Sequence, residues 1–206
     1  MGIARYGGGM VAPPVTNPSS NVRVVDEEIA GLPGPEDMVV MAVPLSRDLT
    51  DELDGALAST AVGLEELLLA ALGRAIARTI GVGVVTVGGL TAVHPIRLAC
   101  ALESTLDADG MVDEVRRALV APPQGTHGPA DVMFSFLGMV PDPALGPLHL
   151  TDGPALSVLA FRAGGMLAMD WWYDGRRLDA CTVEELAAQF RLGLIGLTSE
   201  ITPVCG

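Results

Sequence analysis

The side chains with the widest chemical reach in this 206-residue chain are three histidines, His94, His127 and His149, and three cysteines, Cys100, Cys181 and Cys205. An imidazole titrates near neutrality and can act as a base, but it does so beside a nucleophile or a carboxylate that orients it. None of the three histidines has such a neighbour in sequence, so a packed or solvated ring is the plainer reading of each. The cysteines are odd in number and lack metal-ligand spacing, which points to a reducing compartment, a bacterial-type cytoplasm, rather than to a disulfide framework. Gly81-Val82-Gly83 follows a helix and precedes a strand, the reverse of a dinucleotide loop, and lacks the third glycine. Glu65 and Glu66 are adjacent on a predicted helix, where neighbouring side chains diverge and an acid/base pair does not form. Trp171 and Trp172 fall next to each other on a predicted strand and point to opposite faces, so one belongs to the core while the other lines a cleft or an interface. The residues alone nominate no catalytic group and no metal site.

A net charge of -13 and a pI near 4.4 set a field that repels phosphate backbones and anionic lipid surfaces, so nucleic acid and membrane are not expected partners. Thr79 to Ile96 carries no Asp, Glu, Lys or Arg and approaches bilayer length. Its four glycines, Gly81, Gly83, Gly88 and Gly89, divide it into a buried strand and a turn instead. Hydrophobic residues make up 50% of the chain, ample for the core of one domain.

The elements that must position any site follow from periodicity. Residues 1–37 are rich in Gly and Pro and read as an arm or linker, leaving 38–203 as the domain. Met38 to Val43 is a strand with Pro44 at its end or at a sheet edge. Leu49, Leu53, Ala56 and Leu57 mark a first helix, with Asp48, Asp51 and Glu52 near its positive end. Leu64 to Thr79 forms a second helix, largely buried, with a narrow polar edge of Glu65, Glu66, Arg74 and Arg78. Val93 to Leu98 reads as an edge strand. Met111, Val112, Val115, Ala118 and Leu119 define a third helix, braced by Asp113 and Arg117 and stopped by Pro122-Pro123. Asp131 to Leu137, Ala155 to Arg162 and Met166 to Tyr173 are strands, the last two joined in a hairpin at Ala163-Gly164-Gly165. Thr182 and Glu185 predict a capping box for a last helix whose buried stripe is Leu186, Phe190, Leu194, Leu197 and Ile201. Strands interspersed with helices predict a two-layer mixed-sheet α/β sandwich.

Four segments in order carry a resemblance. Val62 to Ala77 looks like a "N-D-V-L-L-A-A-L-A-R-A-L" helix, with Glu65-Glu66 at Asn-Asp. His94-Pro95-Ile96-Arg97-Leu98 looks like a "P-[IVL]-R-L" strand, and Asp131 to Gly138 like an "F-N-Y-L-G" strand. Ala168 to Asp179 resembles a "W-x-Y-x-x-x-x-x-D" strand and turn before a closing helix. Together they resemble the C-terminal lobe of the condensation domains of non-ribosomal peptide synthetases.

The resemblance implies one lobe of a chloramphenicol-acetyltransferase-like fold, in which two lobes flank a tunnel for carrier-bound donor and acceptor. It implies phosphopantetheinyl carrier-linked substrates and no bound cofactor. His94, Arg97, Trp171 and Trp172 become substrate-channel candidates, His94 because its strand borders the tunnel in that family. The family's "H-H-x-x-x-D-G" motif has no counterpart, since no two histidines are adjacent. The family stretches near the tunnel are shortened here to Gly88 to Val93 and Gln124 to Ala130. Three readings follow: a half domain related to acyl or peptidyl transfer and not catalytic alone, completed by a complementary N-terminal lobe or a second copy; a non-catalytic module that docks a synthetase or carrier protein; or the remnant of a degraded synthetase.

Overall fold

The computed structural model describes residues 20–89, 94–122, 130–140 and 154–201. Along them run β1 (Met38–Pro44), α1 (Arg47–Ser59), α2 (Leu64–Thr79), β2 (Gly83–Gly88), β3 (Ile96–Cys100), α3 (Ala108–Val120), β4 (Val132–Met139), β5 (Leu156–Ala163), β6 (Met166–Asp174) and α4 (Ala180–Glu200). The six strands form one sheet in the order β1-β6-β5-β4-β2-β3. β4 is parallel to β2 and β5, and the other neighbours are antiparallel. The helices pack on one another against one face, which makes the expected two-layer mixed α/β sandwich. Among the described residues, no single helix is long and apolar enough to cross a membrane.

Local chemistry explains the boundaries. The Ser46 hydroxyl accepts from the Leu49 amide at 3.2 Å and the Asp107 carboxylate from the Gly110 amide at 2.8 Å, capping α1 and α3. Ala121, ahead of Pro122, is extended and stops α3 where the proline forbids a helical predecessor. Pro44 ends β1, which is an edge strand, as a residue without an amide hydrogen requires. Gly164 and Gly165, at φ 58° and 82°, make the two-residue turn between β5 and β6, whose twist needs a positive φ at both positions.

The core lies between sheet and helices. Leu67, Leu68, Leu72 and Ile76 of α2 are fully buried, and Trp171 of β6 meets the Phe190 ring of α4 edge-on at 5.8 Å. α2 crosses β3 so closely that a Cβ at Gly73 would sit 2.4 Å from the Ala99 carbonyl oxygen.

Several expectations are corrected. α4 begins at Ala180, so Thr182 lies inside it and the Thr182/Glu185 box does not form. Asp26, remote in sequence, serves that helix end instead, accepting from the Asp179 amide at 2.8 Å and the Thr182 hydroxyl at 3.1 Å. Arg74 is not on a polar edge but 1% exposed, donating to the Ala101 carbonyl at 2.9 Å and to the Leu106 carbonyl. Arg117 pairs with Glu114 at 2.8 Å rather than with Asp113, while Arg116 takes Glu66 at 3.0 Å. β3 starts at Ile96, later than Val93.

Residues from 20 onward run along the domain. The Val22 amide donates to the Val84 carbonyl at 2.8 Å and the Val84 amide to the Ser20 carbonyl at 2.9 Å, beside the part of β2 that β4, paired only at Val87 and Gly88, leaves open. Val22 and Val24 join the core.

Candidate functional site

Strand alternation sorts each side chain to one face of the sheet. Trp171, Met169 and Tyr173 of β6 face the helices and the core, which leaves Asp170, Trp172 and Asp174 on the opposite face, where no described helix packs. The register places Ser157 of β5 across from Trp172 and Leu159 across from Asp170, with Val40 and Ala42 of β1 on the other side. Leu159 and Phe161 are buried yet stand apart from the helix-side core, in keeping with this second face.

Two carboxylates four residues apart on β6 differ sharply in surroundings. Asp174 is 1% exposed and accepts from the backbone amide, Nε and Nη2 of Arg176 at 3.0, 3.0 and 2.9 Å. Burial pushes its pKa up, but the Arg176 hydrogen bonds and charge outweigh burial and hold it below the usual carboxylate value. Arg176 also pairs with Asp37 at 3.3 Å. Asp170 is 9% exposed and has neither hydrogen bond nor ion pair among the described residues. Burial alone raises its pKa. The indole N–H of Trp172, half-buried one pleat further, likewise lacks an acceptor. Such a carboxylate can take up a proton or hold a cation.

The four channel candidates are not gathered. Trp171 is completely buried in the helix-side core, and Trp172 faces the other way. His94 is exposed ahead of β3, and exposed Arg97 donates to the Asn21 side-chain oxygen at 3.2 Å. β3 is four interstrand steps from β6, roughly 19 Å at ordinary spacing. His127 and His149, with most of the shortened stretches 88–93 and 124–130, lie outside the described residues. Cys100 is buried, its thiol pushed up to about 12 by burial, and so is inert. Among the described residues no group of His, Cys, Asp or Glu could hold a metal ion. Asp170 is missed by the sequence motifs. Its signal is a carboxylate in mid-strand, flanked by Met169 and Trp171, where charge is rare.

No family model matches the chain. A phenolphthiocerol/phthiocerol polyketide synthase protein of Mycobacterium tuberculosis is 29% identical over 222 aligned positions, covering 82% of this chain. The chain spans 15% of the length of that relative. Among solved structures, the epimerization domain from the third module of tyrocidine synthetase B superposes with a TM-score of 0.63 at 16% identity, over 89% of this chain and 52% of that one. The X-domain in complex with OxyB from teicoplanin biosynthesis gives 0.62 at 15% identity, over 90% of this chain and 50% of that one. A structure describing condensation domain-mediated chain release from the enacyloxin polyketide synthase gives 0.56 at 15% identity, over 85% and 43%.

Proposed function

We propose that this chain, which has the fold of one lobe of the condensation and epimerization domains and is a synthetase-related domain, contributes that lobe to an acyl-transfer site completed by a second, histidine-bearing lobe. The second lobe is carried by the same polypeptide or by another, or is replaced by a second copy. Substrates arrive as thioesters on the phosphopantetheinyl arm of a carrier protein, in the cytoplasm. Because the relative in sequence belongs to a polyketide synthase, a polyketide-type acyl donor is as natural a client as a peptidyl one.

One observation carries the reading. The superposed region amounts to about half of the epimerization domain, 52%, and the central strands β4, β5 and β6 present carboxylate, hydroxyl and indole groups but contain no imidazole. Acyl transfer to an amine or alcohol needs a group that positions or deprotonates the nucleophile, and central strands without an imidazole leave that role to the companion lobe's histidines.

The test mixes the chain with a separately produced lobe bearing adjacent histidines and follows amide or ester formation from loaded carrier proteins. Product is expected with both lobes and not with either alone, and light scattering should show the complex. Turnover by this chain alone would overturn the reading. A strictly monomeric chain that restores no activity would leave the remnant reading in its place.

A further inference from the structure

We propose that two copies of this chain pair through the open edge of β1, antiparallel and about a two-fold axis at Val40. The register fixes which groups β1 offers. The Gly175 amide donates to the Asp37 carbonyl and the Leu45 amide to the Leu167 carbonyl, so the odd-numbered residues of β1 bond β6 while the amides and carbonyls of Val40 and Ala42 turn outward. Around them Val39 is 39% exposed and Val40 47%, and Ala42 and Pro44 are exposed as well, so this edge is open to solvent along its length. Met38–Pro44 holds no charged residue. The opposite edge of the same sheet is built differently: β3 carries exposed Arg97, follows Pro95 and packs against α2 and α3. Charge, proline and cover keep a sheet edge from pairing, and of these β1 has only Pro44, at its end.

A second copy is the occupant this edge fits. A two-fold contact brings each residue against itself or a near neighbour, so the strip must be uncharged and apolar throughout, as β1 is. With the axis at Val40, Val40 meets its own counterpart, Met38 meets Ala42 and Val39 meets Met41, so exposed apolar side chains cover one another on both faces. Pro44 then falls opposite Glu36, outside the strand, whereas an axis at Met41 would set it against Met38 and remove a bond from the ladder. Antiparallel pairing also lays the exposed Arg47 end of one copy beside the exposed Glu36 end of the other, while a parallel pair would bring like charges together. A net charge of -13 repels the copies at long range, so the pair tightens as salt screens that field. The axis is normal to the sheet and leaves both helix layers on the same side. That contact differs from one lobe facing another, so it does not rest on the acyl-transfer reading.

Sedimentation velocity of the whole chain over a concentration series, at low and at high salt, tests the pairing. The expected result is a monomer–dimer equilibrium that tightens with salt and weakens by at least about tenfold in Val40→Lys, where two ammonium groups would meet at the axis. Leu192→Lys, on the exposed face of α4, should leave it unchanged. Cross-linking gives a second readout that needs no loss of binding. With Cys181→Ser and Cys205→Ser in place, Val40→Cys should form a disulfide-linked dimer in oxidised glutathione, because directly opposed residues of a hydrogen-bonded antiparallel pair lie about 5.5 Å apart at Cα. Val120→Cys, more exposed at the end of α3, should not. A chain monomeric throughout, a dimer that loosens with salt, one that survives Val40→Lys or breaks with Leu192→Lys, or cross-linking no faster at Val40 than at Val120 would each overturn the pairing.

Discussion

Replacing Arg74 by Met should destabilise the domain by about 3 kcal/mol, although the sequence pattern marks this position as solvent-facing. The guanidinium is 1% exposed, donates to the Ala101 and Leu106 carbonyls and lies 3.7 Å from the Glu103 carboxylate. It therefore ties α2 to the loop between β3 and α3. Burial is the largest influence on its pKa and lowers it, against the raising effect of Glu103, so part of what the hydrogen bonds supply goes to offset desolvation. Hydrogen bonds from a charged donor contribute roughly 1.5–3 kcal/mol each, and Met recovers part of the loss by removing a buried charge while filling the volume. For a domain of this size the net loss corresponds to a fall in melting temperature of roughly 6–12 °C. Thermal melting and urea titration would measure it. Arg74→Lys should fare little better, because one ammonium cannot reproduce a fork aimed at two carbonyls. A Met variant melting within about 1 °C of the parent would show that these contacts contribute nothing net.

Glycine substitutions on two helices should act in opposite directions. Gly73→Ala places a methyl 2.4 Å from the Ala99 carbonyl oxygen and should cost about 1–3 kcal/mol, whereas Gly196→Ala, with nothing within 4 Å, should gain about 1 kcal/mol; urea midpoints will rank them. The two β6 carboxylates should have opposite pH signatures. Asp170, raised by burial, destabilises progressively as pH rises through its folded pKa, so Asp170→Asn should stabilise at neutral pH by on the order of 1–3 kcal/mol, the gain vanishing below about pH 4. Asp174, held low by Arg176 against the effect of burial, adds stability present above the ordinary carboxyl pKa and lost as pH falls through its folded value; Asp174→Asn should destabilise at neutral pH and flatten the acid limb of a pH-melting series. Asp26→Ala should cost about 1 kcal/mol and raise amide exchange in the first turn of α4.

Periodicity makes most of the fold legible, because helices and strands that bury one side write that side into their own sequence. Leu64–Thr79 is readable to its ends, and the two tryptophans fall on opposite faces as strand alternation predicts. What is not legible depends on partners remote in the chain. A helical wheel sends Arg74 to solvent because it cannot see the Ala101 and Leu106 carbonyls. Thr182 and Glu185 spell a capping box, but the Asp179 amide and the Thr182 hydroxyl go to Asp26. Spacing pairs Arg117 with Asp113, while Glu114 lies as near and Arg116 is drawn to Glu66 on another helix. The candidate site is less legible than the fold. Motif likeness points to His94, just ahead of the edge strand β3, and to Arg97 on it, whereas a carboxylate without a partner among the described residues becomes visible only once β1 and β5 are seen on either side of Asp170.

The sheet order bears on how this domain is made. Among the described residues β1, the first strand, pairs with β6 alone, and the Ser20–Asp26 stretch completes β2 and the start of α4. On a ribosome, β1 must therefore wait, unpaired and apolar, until the C-terminal hairpin has emerged. Closure is then a late, long-range event, and slow growth or chaperone holding at that stage should matter more to yield than any change confined to the helices.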